Sequence, residues 1–185
     1  MISVVIPVFN NESSLQIVVD EIVTALKLYS NNSEIILVDD ASHDNSLSLA
    51  KSLQKTYPAV KCIALPQNKG QHYAIYKGLK KAKGDWVIVM DADGQDNPSL
   101  IPTLVAETQN SLDAILIARQ NRKSSVLDLL TNAIFYWLWQ MLGNKKANAN
   151  VSNFGIYKRS IVDAILATKF PPFSLPSFNL WSAWH

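Results

Sequence analysis

Cysteine is nearly absent. Cys62 stands alone in an apolar run, so no disulfide framework can form. It reads as a small buried hydrophobe rather than a nucleophile, in keeping with a reducing, cytoplasmic setting. No window reaches about 18 uninterrupted apolar residues, so no membrane-spanning helix is expected. Met1 runs directly into a strand pattern with no basic stretch and apolar signal core ahead of it, so no secretory leader is expected either. Neither G-x-G-x-x-G nor G-x-x-x-x-G-K-[ST] occurs. Without those glycine-rich phosphate loops, a bound nucleotide would have to be held through carboxylates and a metal. The histidines, His43, His72 and His185, show no metal spacing and no nucleophile partner. A net charge of +2 is too small to point to nucleic acid. Internal repeats and low-complexity blocks are missing as well.

What the chain does contain is apolar material in short, regular runs. At 185 residues and 48% hydrophobic it can bury one sizeable core. Ile2 to Phe9 is a β-branched strand with Pro7 marking its exit. Asn10, Asn11, Ser13 and Ser14 then offer capping groups for a helix with Leu15, Val18, Val19, Ile22 and Leu26 on one face. A second strand, Glu34 to Val38, exits into Asp39 and Asp40. Leu47, Ala50 and Leu53 mark a second helix, and Val60 to Leu65 a third strand. Gly70 is expected at positive φ before a helix over about Gln71 to Ala82, with Gly84 as its C-terminal cap. Trp86 to Met90 is a fourth strand. Pro98 suits the start of a helix to about Asn110, and Ala114 to Ala118 is a fifth strand. A long helical pattern spans about Val126 to Leu142. Phe154 to Tyr157 reads as a short strand and Arg159 to Ala167 as a short helix.

Strands alternating with helices of about a dozen residues predict an α/β fold with a mainly parallel, Rossmann-like sheet flanked by helices on both faces. Ligands of such sheets sit beyond the carboxyl ends of the strands. The residues at those ends are Pro7 to Asn11, Asp39 and Asp40, Gln67 to Gly70, Asp91 to Asp96, and Arg119 to Arg122. Among them Asp91-Ala92-Asp93 is the most telling. Strand side chains alternate, so if the extended geometry continues, both carboxylates point to one side, with small Ala92 between them. Two converging carboxylates repel unless a cation joins them, and a hard Mg²⁺ or Mn²⁺ completed by water and phosphate oxygens suits the pair. The plain alternative for the triplet alone is a solvated loop after a strand.

Val5-Ile-Pro-Val-Phe-Asn10, Leu37-Val-Asp-Asp-Ala-Ser42, Asn68-Lys-Gly70 with Ala74 and Gly78, and Met90-Asp-Ala-Asp-Gly-Gln95 together resemble the family 2 glycosyltransferases with the GT-A fold. Gln95, Arg119, Arg122 and Phe154-Gly-Ile-Tyr-Lys-Arg159 resemble the branch of dolichyl- and undecaprenyl-phosphate sugar synthases. The resemblance covers about residues 2 to 168. It implies a nucleotide-sugar donor, a divalent metal and inversion at the anomeric carbon. Pro7 and Phe9 would line the nucleoside pocket, and Asp40 with Asp39 would hydrogen-bond base or ribose. Asp91 would contact the nucleotide, and Asp93 and Gln95 would hold metal and diphosphate. Arg119 would face a phosphate. A glutamate is common in the family where Asn11 stands, so Glu12 is the alternative contact there. The expected donor site therefore takes in Pro7, Phe9, Asn11, Glu12, Val38, Asp39, Asp40, Asn68, Gly70, Asp91, Ala92, Asp93, Gln95, Arg119 and Arg122. Its catalytic groups are Asp91, Asp93, Asp96 and Arg119, and its metal ligands are Asp91, Asp93 and Gln95. Asn68 and Gly70 also read as turn-shaping residues.

Three uses of such a site stay open. With a polyprenyl phosphate acceptor, the attacking oxygen is already anionic and no strong base is needed. With a saccharide hydroxyl as acceptor, Asp96 is the candidate base. As a binding domain without turnover, the chain would hold a nucleotide-sugar or a partner subunit, a homo-oligomer among the arrangements left open. Residues 129–142 are apolar nearly all round and rich in Trp and Tyr. They suit either a helix packed on the sheet or one resting in a membrane interface at the cytoplasmic face. The expected catalytic domain is 1–168. The Pro- and Trp-rich stretch 169–185 reads as an irregular tail, shorter than the C-terminal regions expected of the resembled branch.

Overall fold

The computed structural model describes residues 1–29, 32–110, 112–118 and 151–167. Six strands form one sheet: β1 (Ile2–Val8), β2 (Ser33–Asp39), β3 (Val60–Ala64), β4 (Trp86–Val89), β5 (Ala114–Ala118) and β6 (Val151–Lys158). The helices are α1 (Leu15–Leu26), α2 (Ser46–Thr56), α3 (Gln71–Lys81), α4 (Ile101–Glu107) and α5 (Arg159–Ala167). Short 3₁₀ turns at Lys27–Tyr29 and Pro98–Leu100 flank α1 and α4. The helix expected to run from Pro98 to Asn110 is thus a 3₁₀ turn, capped by Asn97 Oδ1 accepting from Ser99 N, followed by the shorter α4. The expected helix over 126–142 and the stretch 169–185 lie outside the described residues.

The strand order is β3-β2-β1-β4-β6-β5. β1 to β4 are parallel. β6 is antiparallel to both β4 and β5 and lies between them. The expectation of a mainly parallel sheet holds, with this insertion as the departure.

Alternation sorts the apolar residues into two layers. Val4, Ile6, Val8, Leu37, Ile88 and Phe154 join α1, α2 and α4 in one core. Val5, Val38, Val87, Val89 and Tyr157 join α3 and α5 in the other. Near-continuous Val and Ile in β1, β2 and β4 follow from burial on both faces. Pro7 is tolerated in the central strand for a local reason. Val5 O accepts from Met90 N and Val8 O accepts from Asp40 N. By alternation the nitrogen of Pro7 points toward the side where β4 has already ended. Cys62 is half-buried rather than fully buried, and its amide donates to Gln54 Oε1.

Gly84 does not cap α3, which ends with Ala82 extended at φ −65° and ψ 135°. It is needed instead for close approach to β1. Its amide donates to Ser3 Oγ at 2.8 Å, and an added Cβ would meet Ser3 N at 2.6 Å. Arg159 secures the same turn, donating to Gly84 O and Ala82 O. Nearby, Glu34 is buried at 2% exposure. Burial pushes its carboxyl up, but donors on Lys61, the Lys83 amide and Ser3 outweigh that, so the net shift is downward.

Two outcomes follow. Gly78 packs against the sheet so closely that a Cβ would lie 2.3 Å from Val5 Cγ1. G78A should therefore lose about 1–3 kcal/mol in urea unfolding despite alanine's better helix propensity. Because the folded-state pKa of Glu34 is depressed, its contribution to stability is present above the usual glutamate range and is lost as pH falls through the folded value. Thermal melts across the acid range should show a flatter decline for E34Q, with a lower melting temperature than the unaltered chain near neutrality.

Candidate active site

The end of β1 is sewn to the end of β2. Asn10 takes φ +53°, its amide donates to Ser42 Oγ, and its Oδ1 accepts from His43 N at 2.8 Å. Asn11 Oδ1 accepts from Phe9 N, and Asn11 N donates to the buried Ser46 hydroxyl at 2.8 Å. Glu12 turns away from the cleft, since its carboxylate accepts from both the amide and the side chain of Asn45. Asn11 is the residue that lines the cleft, so the substitution of Glu12 for it is not what the fold provides. Burial pushes the Asp44 carboxyl up, yet the Ser46 and Glu12 donors hold it below its usual range. Phe9 is left 41% exposed, edge-on to His43 at 5.9 Å between ring centroids.

At the end of β2 the three expected contacts part company. Val38 is fully buried under α3, next to Gly78, and belongs to the core rather than the donor site. Asp39 alternates onto the opposite face, the one Leu37 shares. It is fully buried, accepts from Ser42 N at 3.2 Å through Oδ2, and leaves Oδ1 without a hydrogen-bond partner. Asp40 alone of the three lines the cleft. Its two oxygens accept from Lys69 N at 2.8 Å and Gly70 N at 2.7 Å, fixing the loop before α3. Gly70 has the expected positive φ, +87°. Asn68 shapes the same turn by accepting from Gly70 N, and it also lines the cleft. Ala41 sits at φ +58°, a left-handed conformation that costs a residue with a Cβ about 1–2 kcal/mol.

At the end of β4 the ladder stops at Val89, one residue before Met90 was expected to end it, but the alternation continues. Met90 and Ala92 are buried in the α1-side core, while Asp91 and Asp93 both line one cleft. Ser14 begins α1 without capping it. Its hydroxyl donates instead to Ala92 O at 2.6 Å, tying the acidic loop to that helix. Gly94 takes φ +77°, and Gln95 N donates to Asp93 Oδ1 at 2.9 Å. Asp96, the candidate base, is 5% exposed and accepts from Asp91 N at 2.9 Å. It closes the loop and is not among the residues lining the cleft.

The cleft measures about 420 Å³, within the range of small-molecule sites. It brings together Pro7, Phe9, Asn11, Asp40, Asn68, Gly70, Asp91, Ala92, Asp93 and Gln95. Arg119 and Arg122 lie outside the described residues. Two lining residues fall outside the expected donor site: Val8, the last residue of β1, and Gln71, which the sequence offers only as the start of a helix. Gln71 Nε2 donates to Asp91 Oδ1 at 2.5 Å. The signal for Gln71 was its place directly after Asn68-Lys-Gly70, at a loop that opens on the same rim.

A mostly parallel sheet with helices on both faces and an acidic cleft at its carboxyl rim matches the fold of solved GT-A glycosyltransferases. A mannosyltransferase from Pyrobaculum calidifontis, solved with GDP-Man and Mn²⁺, aligns with a TM-score of 0.67 at 17% identity, over 98% of this chain and 51% of that one. Glucosyl-3-phosphoglycerate synthase from Mycobacterium tuberculosis, solved with Mn²⁺, UDP and phosphoglyceric acid, gives 0.65 at 20% identity, over 98% and 62%. The sequence profile described as Glycosyl transferase family 2 matches residues 3–165, and the chain belongs to that family. An undecaprenyl-phosphate 4-deoxy-4-formamido-L-arabinose transferase of Aeromonas hydrophila is 36% identical over 171 residues, 90% of this chain and 51% of that protein. The chain thus spans about half the length of the curated relatives it matches.

The left-handed Ala41 gives a direct test of the rim's geometry. A41G should raise stability by about 0.5–1 kcal/mol in urea unfolding, because glycine removes the conformational penalty by more than it adds unfolded-state entropy.

Proposed function

We propose that residues 1–168 form the catalytic domain of an inverting transferase that moves a sugar from a UDP- or GDP-linked donor to a polyprenyl phosphate. The observation that carries this reading is the placement of Asp91 and Asp93 on one cleft with Phe9 and Asp40. Its acceptor class is supported by the likeness to the undecaprenyl-phosphate transferase.

The donor set fits a hard divalent cation, Mg²⁺ or Mn²⁺. Asp91 and Asp93 offer carboxylate oxygens and Gln95 an amide oxygen, all lining one cleft. A site with few protein ligands keeps room for water and diphosphate oxygens, as Mg²⁺ requires. Asp91, Asp93 and Gln95 would hold the ion, which when bound stabilises as a Lewis acid the charge on the departing diphosphate.

The chain's own groups divide the remaining work. Pro7 and Phe9 give the nucleoside an apolar wall. Asp40, by fixing Lys69 N and Gly70 N, holds the facing loop in place. An acceptor phosphate oxygen attacks the anomeric carbon as the bond to the diphosphate breaks, and configuration inverts. No proton has to be removed from an acceptor oxygen that is already anionic. Arg119 and Arg122 are assigned to phosphate recognition through the guanidinium fork. Residues 129–142 are assigned to contact with the membrane at its cytoplasmic face. No helix among the described residues is long and apolar enough to cross a membrane.

Calorimetric titration with UDP and GDP tests the reading. Mn²⁺ should strengthen binding of one nucleotide, and D91N combined with D93N should weaken the metal-dependent part by about tenfold or more. Equal metal-dependent affinity in the double variant would overturn it.

A further inference from the structure

Gln71 occupies a position that no requirement of the fold explains. It is the first residue of α3, exposed, and contributes nothing to either core. Yet its side chain reaches into the cleft and donates from Nε2 to Asp91 Oδ1 at 2.5 Å. The backbone that carries it is held firmly. Asp40 grips the two preceding amides, and Tyr73 N and Ala74 N donate back to Gly70 O. The helix behind it is anchored by buried Ala74, Ile75, Gly78 and Leu79. An amide set on so fixed a base is pre-organised, and the carboxylate it touches inherits that order.

The choice of an amide carries chemical meaning. A lysine or arginine at this point would also bind Asp91, but its charge would repel an incoming cation. A neutral N–H donor fixes the carboxylate's orientation and leaves its negative charge in place. Metal-binding carboxylates are commonly oriented in this way by hydrogen-bonded neighbours. We propose that Gln71 is a positioning residue for the metal site: by donating to Asp91 Oδ1 it fixes the orientation in which that carboxylate meets a hard divalent cation. The inference rests on the transferase reading for the cation itself, and adds a second part of the chain, the start of α3, to the β4 loop that supplies the ligands.

The test is Mn²⁺ binding, followed by calorimetry with and without UDP or GDP, in the unaltered chain, Q71M and Q71E. Methionine keeps the length and removes the donor. Its Mn²⁺ affinity should fall about tenfold or more, while its melting temperature without ligand stays within about a degree of the unaltered chain, as expected for an exposed site. Glutamate places a third carboxylate beside Asp91, so Q71E should bind Mn²⁺ more tightly than the unaltered chain when no nucleotide is present, because ligand charge count sets affinity. Opposite movements in the two variants would not arise from a purely structural role for Gln71. Mn²⁺ affinity of Q71M within about twofold of the unaltered chain overturns this inference and leaves the transferase reading standing; that threshold lies well inside the loss expected on removing such a partner. Absence of any Mn²⁺-dependent nucleotide binding in the unaltered chain overturns both.

Discussion

Alternate burial just past the tip of β4 governs everything built around it. Met90 and Ala92 must enter the α1-side core, where both are almost completely buried. With those two anchored, Asp91 and Asp93 are left on the cleft side. Burial of two apolar side chains thus performs the placement of two charges, at a point where the β4 ladder has already ended. Ser14 on the Ala92 carbonyl and Asp96 on the Asp91 amide keep the backbone in that course after pairing with neighbouring strands has ceased.

The rest of the rim is made rigid by polar loops that bond to one another. Asn10, Asn11 and Glu12 after β1 engage Ser42, His43, Asp44, Asn45 and Ser46 after β2. The carboxylate of Asp40 then carries the connection to the loop before α3. Each bond is modest on its own, but a closed set leaves few backbone groups unsatisfied near a wet cleft. Backbone strain is concentrated here too: Asn10 and Ala41 are the two non-glycine residues with positive φ among those described. Such conformations persist where surrounding bonds over-determine them.

Much of this was legible in the residue order, and the parts that were not have physical causes. β1 to β4 and the helices between them follow from apolar periodicity, and Gly70 from its turn. Asp39 is separable from Val38 and Asp40 by the same alternation that sorts Asp91 and Asp93, whereas Val38 and Asp40 share a face and differ only in depth. Glu12 could not be placed, because its partner, Asn45, lies on another loop. The same holds for Asp96, whose role depends on a turn that folds back on itself, and for Gln71, whose contact joins the start of α3 to the loop after β4. The position of β6 was equally hidden, since a short apolar run does not state which strands it will pair with.

That last feature has a consequence for how the molecule is made. β6 (Val151–Lys158) supplies the second neighbour of β4, and Arg159 clasps the turn that feeds it. During synthesis the first four strands can associate in parallel while one edge of the acid-bearing strand stays open. An uncovered apolar border is a site for pairing with other chains, and closure by a distant segment is intrinsically slow. The emerging polypeptide therefore passes through an interval in which its most functional strand is also its most adhesive, and the late arrival of one antiparallel ribbon brings that interval to an end.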